Sequence, residues 1–335
     1  MFRLKTTELP RVFDALAAQY APVFAHDFPN GPKEAFFPQA ETLFCAKAKN
    51  NKIEILPAPA PDTKPLAIFG LRACDHQGIH VLDAVFAEDA PYQARRAGAV
   101  LITQACNNPA ATCFCKPFGV DAALENPGGD ILTWATSAGR PVREANDEAT
   151  PAGEWLYWEA ATPKGHALTE AVRHLLEETD GTPVAQIKKD IAQKIDALPN
   201  NQLSLENLDM ALFDVPAWDA LFPICLGCSA CTFLCPTCQC YDIADVSQND
   251  LEGGVCRCRT WDSCMNKDFT QMAHGNPRPT GKERFRQRYM HKLVYHPARH
   301  NGQWGCTGCG RCAAKCPVGM NMIKAVKALT QKGDF

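Results

Sequence analysis

CLGCSACTFLCP, Cys225 to Pro236, and CTGCGRCAAKCP, Cys306 to Pro317, decide how this chain is read. Both have the spacing C-x-x-C-x-x-C-x-x-x-C-P. Three closely spaced thiolates on one tight loop suit three irons of a cubane iron–sulfur cluster, and where two such runs occur the fourth cysteine serves the other cluster. The spacing predicts one 4Fe-4S cluster held by Cys225, Cys228, Cys231 and Cys316, and a second held by Cys306, Cys309, Cys312 and Cys235. Zinc is the competing reading, since pairs of C-x-x-C also build tetrahedral four-cysteine sites. It would leave the third and fourth cysteines of each run without a purpose. A disulfide framework belongs to small secreted domains in oxidising compartments. Gly227, Gly305, Gly308 and Gly310 fit a backbone that wraps closely round an inorganic core and aims amides at sulfur.

At 335 residues, 46% of them hydrophobic, the chain can bury a proper core and divides most simply into two domains, 1–215 and 216–335. Met1 to Ala25 has no cationic start followed by an apolar run and a small-residue cleavage site, so no signal peptide is expected. No apolar run approaches the roughly 20 residues of a membrane-spanning helix. Eighteen cysteines without an export signal point to a reducing cytoplasm in which thiols serve as metal ligands. Charge is unevenly placed: residues 256–335 carry 15 Lys or Arg against 4 Asp or Glu, and the remainder 19 against 33. The basic end suits an acidic partner or the chain's own acidic half better than nucleic acid, because thiolate-ligated clusters are anionic. Arg257, Arg259, Arg311 and Lys315 would offset that charge.

Working outward from the motifs, Leu9 to Phe24 shows a helical period, and Cys45 stands alone among apolar neighbours as a buried structural thiol. Leu56 to Pro65 is a proline-rich connector. Leu66 to Gly70 then reads as a strand, a helix follows with Asp75 as its N-cap, and Ala99 to Thr103 is the next strand. This βαβ unit predicts an α/β N-terminal domain with a parallel sheet. Ile131 to Thr136 resembles another strand, Glu144 to Glu154 an acidic loop, and Ala167 to Glu178 and Val184 to Leu198 helices. Asn200 to Asp219 crosses to the second domain, bringing Phe213 and Trp218.

Cys74 lies at the end of the first strand, beside a helix N-terminus whose dipole favours thiolate. Cys106 lies just past the next strand, with Cys113 and Cys115 on the loop beyond. Parallel strands present their C-terminal ends on the same side, so Cys74, Cys106, Cys113 and Cys115 are predicted to hold a third 4Fe-4S cluster, with zinc or plain core cysteines as the alternatives. About 70 residues separate the two C-x-x-C runs, more than a compact ferredoxin allows. A mainly helical two-cluster ferredoxin domain with an inserted Cys-rich segment, 238–304, fits better, with helices near Phe285 to Val294 and Met320 to Lys332. Within the insert Cys238, Cys240, Cys256, Cys258 and Cys264 are candidates for a fourth metal site. His76, His80, His291 and His296 read as surface or hydrogen-bonded residues.

Several phrases carry a family likeness: FFPQAETLF from Phe36, GLRACDHQGIHVLD from Gly70, TCFC from Thr112, CPTCQC from Cys235, RTWDSC from Arg259 and GCTGCGRCAAKCPVGM from Gly305. Together they resemble the iron–sulfur beta subunits of cytoplasmic sulfhydrogenases and the related A subunit of anaerobic sulfite reductase. The resemblance covers most of the chain. It implies a subunit whose clusters link a flavin- and NAD(P)H-binding partner to a catalytic partner, which in this wider family is a hydrogenase, a sulfite reductase or a heterodisulfide-reductase-like module. Cys256 and Cys258 depart from the family pattern.

No G-x-G-x-x-G follows a strand, so no dinucleotide fold is expected in this chain. An adjacent cysteine pair of the heterodisulfide-cleaving type and a terminal nickel-binding pair are also missing. Substrate chemistry therefore falls to another subunit, and the expected role is electron transfer within a cytoplasmic oxidoreductase complex. Two alternatives stand beside it: a substrate-reducing centre built from the cysteines of 238–264, and a redox-sensing iron–sulfur module whose basic C-terminal helix would meet DNA.

Overall fold

The computed structural model describes residues 1–49, 52–57, 64–126, 128–136, 154–248 and 254–330. In chain order the strands are β1 (Phe2–Lys5), β2 (Ala21–Phe24), β3 (Ala40–Lys49), β4 (Lys52–Pro57), β5 (Leu66–Arg72), β6 (Val100–Gln104), β7 (Ile131–Ala135), β8 (Trp155–Ala160), β9 (Glu177–Glu178), β10 (Tyr241–Gln248) and β11 (Gly254–Trp261). Seven of them form one sheet in the order β2-β5-β6-β7-β8-β1-β9. Helix Ala73–Val85 crosses between β5 and β6, and β2, β5, β6 and β7 run parallel. The first four residues of β6 and all of β7 are buried, as parallel strands covered on both faces must be. The sheet is mixed rather than parallel throughout, because β8, β1 and β9 join it antiparallel.

The helix expected over Leu9 to Phe24 stops at Leu16. Pro22 cannot lie inside a helix, and Ala21–Phe24 instead form the edge strand β2, a position that tolerates proline. The helix after β5 begins one residue before Cys74, with Arg72 as its N-cap. Asp75 therefore sits inside the first turn, buried, and its carboxylate meets Arg311 at 2.6 Å instead of capping the helix. Helix Thr182–Asp196 starts where Pro183 supplies the N-terminal turn, whereas the helix expected over Ala167 to Glu178 runs Pro163–Ala171. Residues 58–63 of the proline-rich connector, 144–153 of the acidic loop and the last two residues of the expected terminal helix lie outside the described residues.

The insert between the two cysteine runs contributes strands as well as helix. β10 and β11 pair with each other and then with β3 and β4, giving a four-stranded antiparallel sheet in the order β10-β11-β3-β4. Arg259 of β11 fixes this join: its guanidinium, almost fully buried, binds Glu41 at 2.6 Å and Asp89 at 2.5 Å. The register sets Cys256 opposite Cys45, and the two are bonded as a disulfide. Cys45 is thus not the free buried thiol that its apolar neighbours suggest.

The rest of the C-terminal part packs round helix Gly281–Met290, whose Thr280 and Glu283 form a reciprocal cap. The helix continues through a π turn, His291–Tyr295. Trp218, Phe285, Tyr289, Leu293, Met322 and Val326 share one core with Phe114 and Phe118 from the N-terminal half. Among the described residues no helix is long and apolar enough to cross a membrane.

Candidate metal centres

The two cysteine runs fold alike. Gly227 (φ +67°) and Gly308 (φ +61°) take the left-handed conformation, which costs an L-residue with a Cβ roughly 1–2 kcal/mol. That turn brings each glycine's amide back onto the first cysteine: Gly227 donates to Cys225 Sγ and Gly308 to Cys306 Sγ, both at 3.4 Å. A second left-handed residue, Ser229 or Gly310, then starts a short helix, Ala230–Phe233 or Arg311–Lys315, that carries the third cysteine. The remaining glycine of the expected set acts differently, since Gly305 donates its amide to the Lys292 carbonyl at 3.0 Å.

Three cavities lined by thiols lie in succession. Cys225, Cys228, Cys231 and Cys316 line the first, together with Arg288. Cys235, Cys306, Cys309 and Cys312 line the second, together with Arg288 and Lys292. Each run therefore sends its fourth cysteine to the other's cavity. Cys74, Cys106, Cys113 and Cys115 line the third cavity, which Cys309 also borders. Cys74 is held by the first turn after β5, Cys106 by the end of β6, and Cys113 and Cys115 by a loop pinned where the Phe114 amide donates to the Gly308 carbonyl at 2.8 Å.

Burial dominates at several of these thiols, whereas a hydrogen bond with Cys238 holds Cys235 well below its ordinary value. Burial pushes the thiol of Cys306 up, Cys115 up to about 12 and Cys309 up to about 11. Left to themselves these thiols stay protonated at neutral pH, and a bound metal is what deprotonates such a group. Among the described residues no three Cys, His, Asp or Glu side chains stand close enough to hold a single metal ion. The thiols instead ring a volume. In the first two cavities four sulfurs, an amide directed at sulfur and buried cations make a donor set that fits a 4Fe-4S cluster, and in the third Cys74, Cys106, Cys113 and Cys115 supply four sulfurs.

The buried cations were not read from the sequence. Arg288 and Lys292 are each 4% exposed. Arg288 donates from Nε to Cys231 Sγ and from Nη2 to the Cys231 carbonyl, both at 3.1 Å. Lys292 donates to Thr237 Oγ1 at 2.6 Å and to the Gly305 carbonyl at 2.9 Å. Burial works against both charges, yet neighbouring thiols, Cys231 for the first and Cys235 and Cys238 for the second, hold them above their ordinary values. The available signal was their spacing, Arg284, Arg288 and Lys292 at i, i+4 and i+8 on one helix. Arg311, one of the four cations expected to offset cluster charge, faces Cys309 and Cys74. Arg257 and Arg259 pair with Asp245, and with Glu41 and Asp89, instead.

The five cysteines of the insert divide. Cys256 is bonded to Cys45, and Cys258 lies on the same sheet with its sulfur 3.8 Å from Thr42 Oγ1. Strand register takes both away from the fourth site expected of them. Cys238, Cys240 and Cys264 do come near one another, and Cys238 and Cys240 near Lys33, whose buried side-chain amine donates to the Cys238 carbonyl at 3.3 Å. Cys240 and Cys264 border an open cavity with Arg278 and His291. Burial holds His291 and His296 down at about 4 and His76 at about 3, so these imidazoles are neutral at ordinary pH.

Residues 224–320 match a family described as the 4Fe-4S dicluster domain. Over 299 residues the chain is 31% identical to sulfhydrogenase 2 subunit beta of Pyrococcus furiosus, covering 88% of this chain and 81% of that one. The chain belongs to the sulfhydrogenase beta-subunit family. As a member it carries the dicluster domain across both cysteine runs and the insert between them. Cys74, Cys106, Cys113 and Cys115 of the third cavity fall outside that matched stretch. No solved structure matches the chain.

Proposed function

We propose that this sulfhydrogenase beta-type subunit is a relay that passes electrons through three 4Fe-4S clusters between a flavin- and NAD(P)H-binding subunit and a catalytic redox subunit in the cytoplasm. The observation that carries the reading is the continuity of the three thiol-lined cavities, with Arg288 shared by the first and second and Cys309 by the second and third. Cys225, Cys228, Cys231 and Cys316 would hold one cluster, Cys235, Cys306, Cys309 and Cys312 the next, and Cys74, Cys106, Cys113 and Cys115 the last. A bound 4Fe-4S cluster takes up and gives back one electron at a potential set by its surroundings. The chain's own residues supply those surroundings. Gly227 and Gly308 hold amides against sulfur, Arg288 and Lys292 place positive charge beside the thiolates, and burial lowers the local dielectric.

At the first cavity Cys228 is exposed and Leu226 is 68% exposed, which suits a face where a partner subunit docks. The 216–335 region acts in this reading as the two-cluster domain, and 1–215 adds the third centre. Replacing Cys228 or Cys309 by Ser tests it. Each variant is expected to lose one cluster's spectroscopic signal and transfer through the complex; unchanged cluster content and turnover in both would overturn the assignment.

A second reading follows from the open cavity beside Cys240 and Cys264. Cys238, Cys240 and Cys264 would then hold a fourth cluster, not a single metal ion, at which substrate is reduced in this chain itself. A spectral signal lost in C264S and altered by substrate would support it. Activity that always needs a separate catalytic chain would argue against it.

A further inference from the structure

Among the described residues Arg288 is the one side chain that lines both of the first two cavities. Its guanidinium is always charged and carries five donors in a fixed fork. Buried charge of this kind has to meet countercharge, and the acidic groups that act most strongly on Arg288 are the thiols of Cys231, Cys312 and Cys238 and the Tyr289 phenol. Cys231 belongs to the first cavity and Cys312 to the second. Two of its nitrogens are spent on Cys231, and Nη1, shielded from solvent, has no hydrogen-bond partner among the described residues. An unpartnered donor on a buried cation is expensive to keep unless an anionic group shares the site.

We propose that Arg288 is a shared positioning and tuning residue, raising the reduction potentials of the first two 4Fe-4S centres together, whereas Lys292 tunes only the second. The inference rests on the relay reading. A fixed positive charge stabilises the centre that has gained an electron, so its removal lowers the potential. Because the guanidinium faces both cavities, the fall appears at both. Lys292 lines the second cavity alone, and its removal moves one potential and leaves the other. The two residues sit four apart on one continuous helical stretch, so a general loosening of that stretch would not produce this pattern.

The test is an EPR-monitored redox titration of the full chain, purified anaerobically, for the wild type, R288Q, R288K and K292Q, after iron and acid-labile sulfide have been counted. C228S, which removes the first centre, assigns the signals. R288Q is expected to lower the reduction equilibrium constant at both centres at least tenfold, about 59 mV for one electron. R288K, charged but without the fork, should lower both by less. K292Q should shift the second centre alone. If R288Q does not retain iron, the uncharged R288M decides: a fall at both centres supports the proposal, and a fall at one or neither overturns it. R288Q with both potentials within about threefold of wild type, or with only one displaced, also overturns it. A wild type lacking two 4Fe-4S signals would overturn the relay reading itself, an outcome distinct from unshifted potentials in a loaded R288Q protein.

Discussion

Gly308→Ala is the substitution whose effect the structure fixes most closely. A Cβ at Gly308 would stand 2.2 Å from the Phe114 carbonyl oxygen, 2.5 Å from its carbon and 2.6 Å from Cys115 Cα, and the residue's φ is +61°. All three atoms are backbone, so none can swing aside. Gly227 occupies the same place in the other run, with φ +67° and nothing within 4 Å of its Cβ position. Gly227→Ala therefore carries only the left-handed penalty of roughly 1–2 kcal/mol. Gly308→Ala carries that penalty, loses the Phe114 to Gly308 hydrogen bond, worth about 0.5–1.5 kcal/mol, and displaces the loop bearing Cys113 and Cys115 from its seat. These two terms come to about 1.5–3.5 kcal/mol, and the displaced loop adds to them. At about 2 °C per kcal/mol for a chain of this size, Gly227→Ala should lower Tm by about 2–4 °C and Gly308→Ala by about 3–7 °C plus the cost of the displaced loop. Thermal unfolding of the anaerobic protein, with iron content measured alongside, reads both, and iron loss should accompany only the second variant. Equal Tm losses in the two would refute the seating of the Cys113–Cys115 loop on the second run.

Arg259→Met should destabilise the chain by about 3 kcal/mol in urea unfolding, the low end for removing one member of a buried ion group, since Asp89 is partly exposed; a loss under about 1 kcal/mol would contradict the pairing. Burial alone would push the Asp89 carboxyl up, but hydrogen bonds from Arg259 and the Tyr92 amide outweigh it and hold the group below its ordinary value. A depressed carboxyl stabilises above its unfolded pKa of about 3.9 and loses that contribution as pH falls through the folded value. The gap between wild type and Arg259→Met should therefore narrow below about pH 4, and a gap constant from pH 7 to pH 3 would speak against it. Peptide mapping without reductant should recover Cys45 joined to Cys256 and the other sixteen cysteines unpaired; alkylation of Cys45 in the native, unreduced chain would exclude that bond.

The grouping of twelve thiols was legible because it depends on local rules. A C-x-x-C-x-x-C loop has little freedom, a proline after the fourth cysteine sends the chain away from its own run, and parallel strands end on one side. What was not legible depends on contacts between distant segments. VCRCRTW, Val255 to Trp261, alternates as a strand does, but its cysteines drew the reading toward metal, and only the register against β3 sets Cys256 opposite Cys45. Asp75 has a capping residue's chemistry at a helix start, and its placement inside the turn follows from Arg311, more than two hundred residues on. Arg288 and Lys292 look like surface charge on a basic helix until the thiols around them are known. The edge strand at Ala21–Phe24 was available from Pro22 alone, and the helical period of its neighbours hid it.

Counting iron and acid-labile sulfide per chain, on protein purified without oxygen, tests the central claim most directly. Three clusters require about twelve irons and as many sulfides, falling by about four in a variant with Cys115 replaced by Ser. A content of about eight that Cys115→Ser leaves unchanged would remove the third centre, and zinc in place of iron would contradict the relay as a whole.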